Sequence, residues 1–357
     1  MEIKQILKAF IGLLFILNSS AILAQCTAEC TRHSCCSSSP DATPASVMIS
    51  HVHAKGEWML SYKYMNMSMN GILNGNQIVD KSDVFNQYLM SPETMRMDMH
   101  MLMGMFGLTD KLTVMAMVNY NQNTMDMSMF LATGHTHGGA NDASMMHHMH
   151  TSGLGDLKLS VLYGLVNTPQ YQLVLSAGVS VPVGSVKVQG TSDDVMYPNR
   201  RYPYAMQLGS GTFDVLPCVS YVFQKQNVSF GVQTSAVIRT NYNKLGYQLG
   251  NEATVNTWLA FQWLPCLSSS VRIEGNIADK IQGNDPTIFA FNEPSANPAN
   301  YGGQRVSGAV GSVLQLREGF LKNSRLGVEF VLPVYQNLNG LQMKAAQTVV
   351  ASWSMGF

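Results

Sequence analysis

Methionine recurs at every second position in four stretches of the chain's first half. They are Met65-Met67-Met69, Met95 to Met105 (six on consecutive odd numbers), Met115-Met117 and Met125-Met127-Met129. A thioether is a soft donor suited to Cu(I). It is also a flexible, adaptable apolar filler. The spacing therefore offers two chemistries: a ladder of weak soft-metal sites, or a greasy lining. Histidine adds weight to the first. All nine histidines precede residue 151, and His100 stands within the longest Met run. Five His and three Met fall within sixteen residues, namely His135, His137, Met145, Met146, His147, His148, Met149 and His150. Imidazole combined with thioether favours copper over zinc or nickel. Cys26, Cys30, Cys35 and Cys36 form a third group, with His33 among them. They offer thiolates to a thiophilic ion, or disulfides in an oxidising compartment. Spacing does not separate these uses. Cys218 and Cys266 stand apart and read as structural.

Period two is the period of a β-strand, so each Met set lies on one face of one strand. Composition points the same way. Only 12% of the 357 residues are charged, Lys plus Arg equals Asp plus Glu, and there are 30 glycines. Balanced charge gives no reason to expect a nucleic-acid partner. Lys4 and Lys8 precede a short apolar run, Ala9 to Leu17, and small residues lead to Ala24, so residues 1–24 read as a secretory signal peptide. No later run is apolar for about eighteen residues, which excludes a helical membrane span and leaves a closed barrel as the membrane solution.

The alternation supports a barrel. Twelve strands are expected, near 57–70, 93–108, 111–125, 154–166, 171–184, 207–223, 228–240, 251–263, 267–277, 305–316, 324–335 and 346–357. The connections between them alternate short and long, as periplasmic turns and extracellular loops do. The last strand, with Val349, Ala351, Trp353, Met355 and Phe357 on one face, ends on an aromatic residue. The expected fold class is thus an all-β, antiparallel, up-and-down transmembrane barrel over residues 55–357. A flexible Cys/His-containing segment (25–54) precedes it, Ser37 to Pro44 reads as a disordered linker, and a His/Met-rich extracellular loop spans 130–152.

Facing follows from parity. Trp58, Leu60 and Tyr62 oppose Met65, Met67 and Met69; Leu102 and Phe106 oppose Met101, Met103 and Met105; Leu112 and Val114 oppose Met115 and Met117. The Met face is expected to point into the lumen. At the outer strand ends, where Met95, Met97 and Met99 alternate with Arg96, Asp98 and His100, local polarity argues for the opposite phase, and a β-bulge would produce it.

The run Gly153-Leu154-Gly155-Asp156-Leu157-Lys158-Leu159-Ser160 resembles a pattern in the "MetA-pathway of phenol degradation" transporter-like family of outer-membrane proteins. Val179 to Gly184 and Gln207 to Asp214 are similar to that family as well. The resemblance covers most of residues 55–357. It implies an outer-membrane channel or uptake protein of a Gram-negative cell, and for Met- and His-rich members an association with metal resistance. No catalytic constellation emerges, so an enzyme is not expected. The leading expectation is a barrel that binds or conducts a soft metal, copper foremost. Capture would occur at the His/Met loop, passage along Met65, Met67, Met69, Met99, Met101, Met103, Met105, Met115 and Met117, and hand-over at the Cys group to a periplasmic metal-handling protein. The alternatives are a channel for small hydrophobic or aromatic molecules, and a metal-binding surface protein that does not transport.

Overall fold

The computed structural model describes residues 43–129 and 145–357, apart from 193, 195, 196, 318 and 320. The wall is built from β1 (Trp58–Gly75), β3 (Met90–Thr109), β4 (Leu112–Met129), β5 (Met145–Leu154), β6 (Leu157–Asn167), β7 (Tyr171–Val181), β8 (Asp214–Lys225), β9 (Val228–Arg239), β11 (Glu252–Leu264), β12 (Leu267–Ala278), β14 (Gly303–Gln315) and β15 (Ser324–Gly356). Three short strands lie outside it: β2 (Gln77–Val79), β10 (Tyr247–Gln248) and β13 (Gln282–Gly283). Wall strands pair antiparallel in sequence order, and β15 closes the sheet on β1.

Two departures from one-strand-per-stave matter. β5 and β6 run end to end along β4, β5 beside Tyr120–Met129 and β6 beside Leu112–Met117. β15 folds on itself: its first half pairs with β14 and its second half with β1. The Gln336 amide clasps Ala345 with two 3.0 Å hydrogen bonds, and the reversal passes Gly340 at φ 62°. The β5–β6 pair counts as one stave and β15 as two, so the barrel has the twelve staves expected from the alternation.

The outside is apolar where lipid would touch it. Leu60, Leu102, Val161, Val219, Leu259 and Val328 are all exposed. Trp58 packs on Phe106, Tyr171 on Phe223, and Phe261 on Trp263, all near the short turns, forming the aromatic girdle of a membrane barrel. On β1 the outward residues turn polar at Asn66. Eight residues along a strand tilted by about 40° rise roughly 20 Å, close to the apolar band of about 25 Å in such barrels. Above that level the outer face is hydrophilic: Asp98 accepts from Tyr64, Asn66 and Arg96. The polar residues beside Met95 to Met99 therefore stand above the bilayer, and the strand keeps one phase. An outward apolar belt on a closed barrel places the protein in the outer membrane of a Gram-negative cell.

Part of the segment expected to be flexible is folded into the lumen. Thr43 to Ala54 crosses the periplasmic half, and barrel side chains satisfy its irregular backbone. Glu329 accepts from Ser46 N (3.0 Å), Gln233 donates to Ile49 O (2.7 Å), and Thr113 Oγ1 accepts from His53 N (2.9 Å). Buried backbone needs such partners. Gly107 makes the crossing possible, since a Cβ there would sit 2.0 Å from Ala54 O.

The long loops form a lid at the other end. The loop 279–302 carries a 3₁₀ turn at Pro294–Ala296, and the loop 182–213 carries another at Tyr204–Met206. Ion pairing of Arg201 with Asp285 joins the two loops. Hydrogen bonds from Met90 N to Asn292 O (2.8 Å) and from Asn300 to Tyr88 Oη (2.8 Å) tie in residues 76–90. Tyr204, Tyr247, Ile281, Ile288 and Ala296 give the lid a small apolar core.

A methionine-walled lumen as the candidate functional site

The inward phase of the methionines is set by register. Cross-strand partners are Met65 with Met99, Met67 with Met97 and Met69 with Met95 between β1 and β3. Between β3 and β4 they are Met95 with Met125, Met103 with Met117 and Met105 with Met115. Met125 then faces Met149 on β5. Met69, Met95, Met125 and Met149 thus form one continuous row across four strands. Directly opposed Cβ atoms lie about 5 Å apart in such pairs, so the thioethers are within reach of one another. Met101, Met103, Met105, Met115 and Met117 are all buried. They pack with Val52, Met48 and Ile49 of the crossing segment. In the outer half Met95, Met125, Met127 and Met149 pack with Tyr197, Tyr202 and Met206 of the inward-folded loop.

The opposite wall is ionic. Arg272 donates from Nε to Glu329 (2.7 Å) and pairs with Glu274 (2.6 Å). Arg239 pairs with Asp214 (2.5 Å) and reaches Glu252 (3.7 Å). Lys63, on the Met side, donates to Ser46 O (2.8 Å). The lumen therefore has a thioether wall on β1, β3, β4 and β5 and a charged wall on β8, β9, β11, β12 and β15.

Between these walls, under the lid, lies a cavity of about 370 Å³. Met69, Met95, Met97, Met125 and Met343 line one side, Glu252, Asn276 and Arg305 the other, and Pro294, Ser295, Asn300 and Tyr301 cover it. Met343 and Arg305 carried no sequence signal as site residues. One is a lone Met outside the four stripes, and the other is a single Arg on a strand.

The histidine group is dispersed. Residues 145–154, expected within an extracellular loop, are strand β5, so neighbouring side chains point to opposite faces. His147 faces inward, 3.6 Å from Asp194. His148 and His150 face outward, on Asp126 (2.6 Å) and Thr124 (3.3 Å), and Met146 is exposed outside. His100 is also outward, bonded to Tyr62 Oη at 2.7 Å. The backbone of Met145 is in β5. His135, His137, Cys26, Cys30, Cys35 and Cys36 lie outside the described residues. No three His, Cys, Asp or Glu side chains converge on one point among the described residues. Of the two barrel cysteines, Cys218 is free and buried and Cys266 is disulfide-bonded.

The three runs that carried the family resemblance meet at one knot. Asp156 accepts from Gly184 N (3.0 Å), Ser210 N (2.8 Å) and Ser210 Oγ (2.7 Å). The knot fastens both ends of the loop 182–213 to the barrel rim. The strand expected from residue 207 accordingly begins at Asp214, because Gln207 is engaged with Val188 and Tyr202 inside that loop.

Comparison with solved structures agrees with this architecture. A COG4313 outer membrane channel from Pseudomonas putida F1 superposes with a TM-score of 0.56 at 14% identity, over 86% of this chain and 97% of that one. The fold is that of an outer-membrane β-barrel. A FadL homologue from Pseudomonas aeruginosa (TM-score 0.41, 9% identity, 84% and 89% covered) and the toluene transporter TodX from Pseudomonas putida (0.37, 10%, 85% and 89%) superpose more loosely. No family model matches the chain, and no curated protein matches it.

Proposed function

We propose that this barrel admits small, largely apolar solutes across the outer membrane, receiving them in the cavity beneath the lid. The observation that carries this reading is the 370 Å³ space beneath the lid, with five methionines in its lining. That volume lies within the range of small-molecule sites, which are mostly apolar with a few placed polar groups. Unbranched thioethers repack around differing shapes, which suits a lining that meets varied cargo. The crossing segment fills the periplasmic half, so passage requires Thr43–Ala54 to shift. The test is uptake of 4-phenylbutan-1-ol by intact cells. Cells carrying the protein should accumulate it several-fold faster than cells lacking it, and equal rates would sink the proposal.

A second reading, a soft-metal path with copper as cargo, rests on the continuous row Met69–Met95–Met125–Met149. Replacing all four by Leu separates the two. Leu keeps the wall apolar and costs little in packing, because Leu and Met are close in volume. Solute uptake should then change by less than about two-fold, as uniform apolar lining predicts. Copper content of the purified variant, loaded as Cu(I), would fall only if the thioethers bind the ion. Unchanged Cu(I) content excludes this row as a metal path.

A further inference from the structure

The cavity is not symmetric, and its polar side is unequally satisfied. Three guanidinium groups elsewhere in the barrel and lid have acidic partners: Arg239 has Asp214, Arg272 has Glu329 and Glu274, and Arg201 has Asp285. Arg305 on β14 lines the cavity yet donates no hydrogen bond and forms no ion pair among the described residues. Glu252 shares the cavity; its carboxylate reaches Arg239 at 3.7 Å, and its charge also acts on Arg305 without forming an ion pair with it. Asn276, opposite Arg305 in the β12–β14 register, gives one of its two amide N–H groups to Thr254 (2.9 Å). Gln342 donates to Gly302 O and Asn339 O (2.8 Å each). Among these lining side chains, Arg305 is the one that keeps a whole guanidinium fork unpaired, beside a single spare N–H on Asn276. A planar guanidinium is built to take a carboxylate through two parallel N–H···O bonds. Met69, Met95, Met125 and Met343 line the same space.

Resting on the channel reading above, we infer that the cavity selects small apolar molecules that bear one carboxylate, with Arg305 binding the anionic end and the methionine wall the apolar body. Neutral analogues engage the wall alone. The Arg305 guanidinium has the Glu252 charge nearby but no ion pair or hydrogen bond to it, so a carboxylate gains a charge-assisted pair without breaking a direct one.

The experiment uses the full protein in lipid nanodiscs at pH 7.5. Binding of 4-phenylbutyrate and of 4-phenylbutan-1-ol, which share one apolar body, is measured by titration calorimetry. Wild type should bind the carboxylate about ten-fold tighter or better, as one charged pair of this kind supplies. Arg305→Gln should lose that margin and hold the alcohol within about two-fold, and Arg305→Lys should restore part of it. Heat-modifiable migration of both variants reports that the barrel has formed. Equal wild-type affinity for the two ligands, or an unaltered carboxylate affinity in Arg305→Gln, overturns the anion inference while leaving the channel reading standing. Failure of both ligands to bind overturns both.

Discussion

Glu329→Ala is expected to lower barrel stability by about 3–5 kcal/mol, the usual cost of stranding a buried charge, and to release the crossing segment from the lumen. Glu329 is 1% exposed and its partner Arg272 is 3% exposed. One oxygen takes the Arg272 Nε–H at 2.7 Å, and the other takes both Ser46 N (3.0 Å) and Ser46 Oγ (2.6 Å). Removing the carboxylate leaves Arg272 with Glu274, a partner about one-third exposed, and removes the anchor that holds the start of the crossing segment. The pair is thus a mooring as well as a charge balance. Two readouts check this: a lower denaturation midpoint in detergent, and a larger single-channel conductance in planar bilayers. Glu329→Gln keeps the shape and one acceptor, so it should fall between. A variant with wild-type conductance would show that the crossing segment is held by its other contacts, Gln233 and Thr113.

The second large effect concerns pH and the lid. Glu293 is fully buried. Tyr197 from the neighbouring loop donates to one oxygen and Ser295 Oγ to the other (2.5 Å). Burial pushes its carboxyl up from 4.5 to about 7, against the two hydrogen bonds, which favour the ionised form. The Tyr197 hydroxyl is pushed up by burial and by the Glu293 charge, so it keeps its proton and remains a donor. A carboxyl whose folded value is raised binds its proton more tightly in the closed lid than in the open one. It therefore stabilises the lid fully below about pH 4.5, and that contribution is lost as pH rises through about 7. A rise of this size corresponds to on the order of 3 kcal/mol. Opening events in planar-bilayer recordings should become more frequent between pH 5 and roughly 8. Glu293→Gln, which cannot ionise, should flatten that dependence. An opening frequency that does not vary with pH in wild type would remove Glu293 as the latch.

The amino-acid sequence by itself determined the wall. Period-two alternation in β3, β9 and β15 assigns every side chain to lipid or lumen once one face is known, and the Trp58, Leu102 and Phe230 faces are outward as their chemistry requires. Strand count follows from the same signal, because each stave must be long enough to cross the apolar band and must end at a turn. The inward Met stripe was legible for that reason, including the outer run Met95 to Met99, where register held without a bulge. Local alternation carries no information about which stave a stripe faces across the lumen, nor about how loops fold. Only the tertiary structure decided that the histidines of β5 divide between two faces, since residues 145–154 extend the β4 ladder instead of looping. It alone brought Met343 and Arg305, on the last two wall strands, to one cavity with Met69, Met95 and Met125 of the first three, and drew Thr43–Ala54 through the barrel to Glu329. These placements depend on barrel closure and on long-range hydrogen bonds. A pattern of neighbouring residues records which way a side chain points, and closure determines what it meets.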